Sequence, residues 1–132
     1  MKYIDKVAWL LIKDNKILST RSKGKDTFYI PGGKRELDET DIETLVREIK
    51  EELDVDIIQD SVNYYGTFIA QSHGDIKGLM VKMTCYVASY KGLLTASSEI
   101  AEYQWLSSEN TEIISPVDKL IFSDLLKHER IY

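Results

Sequence analysis

Apolar positions along this chain first come in short unbroken runs, then spread to helical spacing, then alternate, and each regime predicts a different element. Val7 to Ile12 and Lys16 to Thr20 are β-type runs joined across Asp14-Asn15, a pair that tolerates the positive φ of a tight turn, so they predict a hairpin. Thr27 to Ile30 predicts a short strand stopped by Pro31, which has no N–H to give to a ladder. Gly32-Gly33, free to bend sharply and to be approached closely, predicts the start of a loop.

Thr40-x-x-Glu43 has the form of a capping box and predicts a helix starting at Asp41. At roughly 100° per residue, Ile42, Leu45, Val46, Ile49 and Leu53 fall on one stripe. Glu48, Glu51 and Glu52 lie to one side of that stripe, with Glu43, Arg47 and Lys50 on the other. The three carboxylates stand at i, i+3 and i+4, where like charges weaken a helix by roughly 0.2–0.5 kcal/mol per pair. A hard divalent cation turns such repulsion into binding, so this edge reads as a metal platform. Without more context, the same charges describe an ordinary solvated surface with Glu43 and Arg47 as an i,i+4 pair.

Downstream, Ile57-Ile58, Tyr64 to Ala70, Leu79 to Ser89 and Glu102 to Leu106 predict strands, separated by turn-rich stretches at His73-Gly74 and Lys91-Gly92. Ser115-Pro116 predicts an N-cap and first-turn proline, followed by a helix whose buried face is Val117, Leu120, Ile121, Leu125 and Leu126. The fold class expected is α+β: a mixed central β-sheet with a helix on each side.

Bulk properties narrow the function. The 132 residues suit one domain with a single core. A net charge of −5 argues against a general grip on nucleic acid polymers, which needs many cations facing phosphates. Val7 to Ile12, closed by Lys13, is too short for a membrane span and lacks a cleavage site behind it, so a cytoplasmic protein with no membrane contact is expected. One cysteine, Cys85 in an apolar stretch, excludes an internal disulfide and reads as a buried structural thiol. His73 is expected in an exposed loop, and His128 near a helix C-terminus, where the dipole favours it. Trp9 and Trp105 read as core or dimer-contact residues.

Written as a pattern, Gly33, five residues, Glu39, seven residues, then Arg47-Glu48-Ile49-x-Glu51-Glu52-x-Asp54-Val55 resembles the signature of the Nudix hydrolase family. Only the glycine expected at Asp54 is missing. That glycine would end the helix in a left-handed conformation, which aspartate also tolerates, so the departure bears on stability and not on the ligand set. Upstream, Phe28, Pro31, Gly32, Gly33, Lys34 and Glu36 are similar to the lead-in of MutT-like members. The likeness is close from about Lys6 to Val55, and beyond that it extends only to the order of elements.

The resemblance implies a Nudix-type α/β/α sandwich and a set of roles. Glu48, Glu51 and Glu52, with the carbonyl of Gly32, would hold Mg²⁺ or Mn²⁺. Arg47 would orient the glutamates, Glu39 would brace the loop entering the helix, and Arg21 and Lys34 would contact substrate phosphates. Glu52 or Glu48 is the first candidate for general base, followed by Glu99 and Glu102, because the family often carries an acidic residue before the late strand. The implied reaction is hydrolysis of a diphosphate linkage in a small nucleotide, with a MutT-like (d)NTP pyrophosphohydrolase giving NMP and pyrophosphate in first place. ADP-ribose or nucleotide-sugar pyrophosphatases come next, although Gln71 to Lys77 carries neither the proline nor the tyrosine of the ADP-ribose and dinucleoside polyphosphate groups. A Nudix-fold sensor that binds without cleaving is the non-enzymatic reading, disfavoured because all three box carboxylates are present. Family members are often dimers, which makes a homodimer possible.

Overall fold

The computed structural model describes residues 2–72 and 78–132. The chain runs β1 (Lys2–Trp9), β2 (Ile12–Lys13), β3 (Lys16–Ser22), β4 (Phe28–Tyr29), β5 (Gly32–Lys34), α1 (Asp41–Leu53), β6 (Asp56–Ile57), β7 (Asn63–Gln71), β8 (Leu79–Val87), β9 (Tyr90–Lys91), β10 (Ile100–Leu106) and α2 (Pro116–Lys127). Short 3₁₀ turns at Gln59–Ser61 and Ser108–Ile113 complete it.

The main sheet has the order β5-β1-β8-β7, with β1 parallel to β8 and the other neighbours antiparallel. A second sheet has the order β10-β3-β2, with β4 on β3. The expected mixed α+β sandwich is therefore the observed architecture. Side chains alternate across the strands, and two buried clusters result. Ala8, Leu10, Ile17, Met83 and Cys85 pack with Ile121, Phe122 and Leu125 of α2. Val7, Trp9 and Leu18 pack with Leu45, Ile49 and Leu53 of α1. A strand buried on both faces reads as a continuous apolar run, which explains Val7 to Leu10.

Several boundaries differ from the sequence reading, each for a physical reason. Val7 to Ile12 is not one strand: Leu10 N–H donates to Tyr86 and Leu11 accepts from Leu18, so the chain changes sheets between β1 and β2. Upstream, β1 takes in the polar stretch from Lys2 because eight registered pairs with β8 hold it. Gly32-Gly33 does not open a loop. It forms β5, paired to β1 through Ala8↔Gly32 and Val7↔Gly33. The Asp14-Asn15 turn matches expectation, with φ of 52° and 60°.

Leu120 and Leu126 are each 45% exposed, contrary to the expected buried face of α2. At about 100° per residue the residues that pack, Val117, Ile121, Phe122 and Leu125, span an arc centred near Asp118 and leave those two leucines outside it. Cys85 is fully buried and its thiol is pushed up by burial, as suits a structural role. Trp9 is buried and Trp105 packs at the edge of the α1 cluster. His73 lies outside the described residues. Among the described residues, no helix is long and apolar enough to cross a membrane.

Candidate active site

Helix α1 is positioned from both ends. Thr40 Oγ1 accepts from Glu43 N–H at 3.1 Å and Glu43 Oε1 accepts from Thr40 N–H at 2.9 Å, completing the capping box. At the other end Asp54 takes φ 55° and ψ 36°, the left-handed cap expected of the missing glycine. A tether absent from the sequence reading fixes the loop entering the helix. Arg35 pairs with Asp5 of β1 and Asp41 of α1, and Tyr86 Oη donates to Asp41 at 2.6 Å.

Arg47 binds Glu39 through two parallel hydrogen bonds, Nε to Oε2 at 2.7 Å and Nη2 to Oε1 at 2.9 Å. This is the bidentate fork for which arginine is suited and lysine is not. Its Nη1 donates to Glu48 Oε1 at 2.9 Å and lies 3.5 Å from Glu51, while Nη2 also donates to the Lys34 carbonyl at 3.1 Å. Arg47 therefore leans toward the acidic edge and makes no pair with Glu43. With Arg47 first and the Glu36 N–H second as its donors, Glu39 is held down at about 2.

Glu48 and Glu52 are treated differently by their surroundings. Burial, and then the Glu48 carboxyl, push Glu52 up to about 8, while the backbone of Gly32 lowers it. Burial raises Glu48 too, against the pull of Arg47. Glu51 stays 54% exposed.

Two glycines make this crowding possible. A Cβ on Gly33 would sit 2.4 Å from Glu48 Cδ, inside the space of the carboxyl group. Gly32 has φ +146°, and its Cβ would lie 2.0 Å from the Val7 carbonyl oxygen, so backbone bars any side chain. The donor set is all hard oxygen, and of the two half-buried carboxyls Glu48 shares Arg47 with Glu39 while Glu52 has no ion-pair partner among the described residues. Both traits suit a divalent cation with oxygen preference. Among the described residues no three acidic, His or Cys side chains already form a closed cage; Arg47 engages Glu48 and lies 3.5 Å from Glu51.

Glu52, Gly32 and Gly33 line a cleft of about 210 Å³ whose other walls include Thr20, Ser22 and Ile100. Lys6, Tyr29 and Met83 belong both to this cleft and to a second lobe of about 170 Å³. Of the remaining sequence candidates, Lys34 is exposed at the second lobe. Arg21 is engaged elsewhere: Nε and Nη2 donate to Glu102 Oε2 at 2.9 and 2.7 Å, and Nη1 to the Lys25 carbonyl at 2.9 Å. Gln104, then Arg21, lower Glu102 from its ordinary value. Glu99 is exposed, with its carbonyl accepting from Lys23 N–H at 2.8 Å.

Lys6, which lines both lobes, and Asp118, fully buried in α2, escaped the sequence reading. Asp118 is fully buried, with Oδ2 accepting from Ile30 N–H at 3.0 Å and Oδ1 without a hydrogen-bond partner. Burial pushes its carboxyl up to about 7. A carboxylate centred in the apolar arc of α2 was the available signal, since buried charges are costly unless they are used or paired.

A sandwich with paired carboxyls beside a cleft and a glycine strand under them has the donor set of a metal-assisted hydrolase. Residues 2–123 match the NUDIX domain, and the chain belongs to the Nudix family. It is 28% identical over 106 residues to the uncharacterized Nudix hydrolase YvcI of Bacillus subtilis, covering 80% of this chain and 67% of that protein. The ORF135 protein of E. coli superposes with a TM-score of 0.75 at 27% identity, covering 96% of this chain and 91% of that one. The MutT protein of Methanosarcina mazei shares the fold with a TM-score of 0.75 at 21% identity, covering 96% and 95%. Nudix hydrolases are pyrophosphohydrolases that generally use divalent metal ions and act on small nucleotide substrates.

Proposed function

We propose that the chain forms one catalytic domain that hydrolyses a nucleoside triphosphate, ribo- or deoxyribo-, to NMP and pyrophosphate with Mg²⁺ as cofactor, Mn²⁺ substituting. The observation that carries this reading is the Glu48–Glu52 pair crowded over Gly32 and Gly33 while Arg47, locked to Glu39, holds Glu48 from behind. Glu48, Glu51, Glu52 and the Gly32 carbonyl are the groups that would hold the metal. When bound, the divalent ion supplies charge neutralisation at the diphosphate and a more acidic water.

The protein's own groups do the rest. Glu52, which lines the cleft, or Glu48 one helical turn before it, accepts the proton of the attacking water, because burial has already raised the basicity of each. Glu99 and Glu102 stand second, and Glu102 reaches that role only by leaving Arg21. Lys34 provides a cation at the mouth, and Arg21 provides one when it exchanges Glu102 for a phosphate oxygen. The second lobe gives the nucleoside an apolar place to rest.

Incubating the protein with Mg²⁺ and a panel of dNTPs, NTPs, ADP-ribose and nucleotide sugars tests the reading. Release of NMP and pyrophosphate from triphosphates is the expected outcome. Cleavage confined to ADP-ribose or sugars would overturn the substrate assignment, and binding without cleavage would overturn the enzymatic one.

A further inference from the structure

Lys6 is a cation where the fold has little reason to put one. It stands on β1 at the junction of the two lobes, flanked by Val7 and Ala8, both buried, and burial lowers its pKa from the usual lysine value. Its Nζ lies 5.7 Å from the centre of the Tyr29 ring, and no carboxylate of the described residues pairs with it at ion-pair distance. Asp118, Glu52 and Glu48 act on it only through space. A desolvated ammonium without a close partner is costly, and a ligand that supplies an acceptor offsets that cost.

The second lobe defines the acceptor. Its walls are mixed: Ile4, Val81, Met83, Pro116 and Val117 are apolar, Ser72 and Ser115 are polar, and Lys6 and Lys34 are its charged lining residues. Apolar side chains beside the Tyr29 ring, with a few polar groups among them, suit a nucleobase, whereas the phosphates belong with the carboxylate platform in the first lobe. We propose that Lys6 is a specificity-determining residue that donates to a carbonyl-bearing base edge, as in guanine, uracil, thymine or cytosine, and discriminates against adenine, whose exocyclic group is a donor. This rests on the nucleotide reading above.

Calorimetry of GMP, UMP and AMP binding without metal, on the wild type, Lys6→Met and Lys6→Arg, tests it apart from turnover. The wild type is expected to bind GMP or UMP at least ten-fold tighter than AMP. Lys6→Met should lose most of that preference while AMP affinity changes less than three-fold, and Lys6→Arg should recover part of it. Equal loss for AMP would put Lys6 on phosphate or ribose and overturn the proposal, as would a wild type without base preference or without binding. If triphosphates are not cleaved yet GMP binding depends on Lys6, the triphosphate reading falls and this one stands. A matching circular dichroism spectrum and melting temperature show that Lys6→Met is folded.

Discussion

The two ends of the motif, the loop entering α1 and the acidic edge of α1 itself, share one arginine, yet they treat negative charge in opposite ways. At the loop end, Glu39 is surrounded by donors from Arg47, Glu36 and Thr44 and is ionised under almost any condition. At the cleft end, Glu48 and Glu52 are pressed against each other and against glycine backbone, so burial outweighs the help from Arg47. The first arrangement is complete within the protein and is structural. The second is left one positive charge short, and that deficit is what distinguishes a binding surface from a brace.

The strongest way to break this contrast is Glu52→Gln. Turnover at saturating Mg²⁺ is expected to fall at least about a hundred-fold, some 2.7 kcal/mol of transition-state stabilisation, while the melting temperature of the metal-free protein holds or rises because a carboxyl whose ionisation burial opposes is replaced by a neutral amide. A loss below about ten-fold would remove Glu52 from the base role. Arg47→Lys comes next: it keeps the charge but loses the fork, so turnover should drop on the order of ten-fold and the melting temperature should fall with it. Full activity in that variant would show that the fork is dispensable.

Gly33→Ala and Gly32→Ala separate the site from the frame under it. The first displaces only the Glu48 carboxyl and should cost several-fold in turnover with a nearly unchanged melting curve, whereas the second meets backbone and should lower stability as well. Equal melting curves for the two would contradict the geometry.

Acidity sharpens the comparison with opposite signs. Glu39, at about 2 when folded against 4.5 otherwise, adds stability that is present above pH 4.5 and lost as pH falls toward 2. Glu52, at about 8 against 4.5, adds stability present below pH 4.5 that is lost as pH rises through 8 in the metal-free protein. Mg²⁺ uptake at pH 7 should therefore release a proton, seen in calorimetry as heat that scales with the buffer's ionisation enthalpy and vanishes in Glu52→Gln. The smallest expected effect belongs to Asp54→Gly. Removing a carboxylate from the helix C-terminus gains within about 1 kcal/mol and leaves turnover unchanged.

Much of this was legible before any coordinates. Spacing fixed α1 and its caps, since Thr40, Glu43 and Asp54 act within a few residues of one another, and the motif brought Glu39, Arg47, Glu48 and Glu52 together through the same local geometry. What escaped depends on distant strands. Gly32-Gly33 became β5 because β1 lies alongside, a pairing that no short-range signal carries. Lys6 carries no local signal, since its place at both lobes depends on Tyr29 and Met83 from other strands, and the burial of Asp118 depends on how α2 packs on the sheet. Arg47 looked opposed to the acidic edge because angular position ignores the reach of a long side chain.

The three residues of β5 form the outermost rung of the main sheet, with a neighbour on one side only. Peripheral rungs fray first as temperature climbs, and here the frayed rung carries the floor beneath two reactive carboxyls. Heat should consequently silence the chemistry some degrees before the sandwich itself comes apart, making catalysis a more sensitive thermometer than the fold.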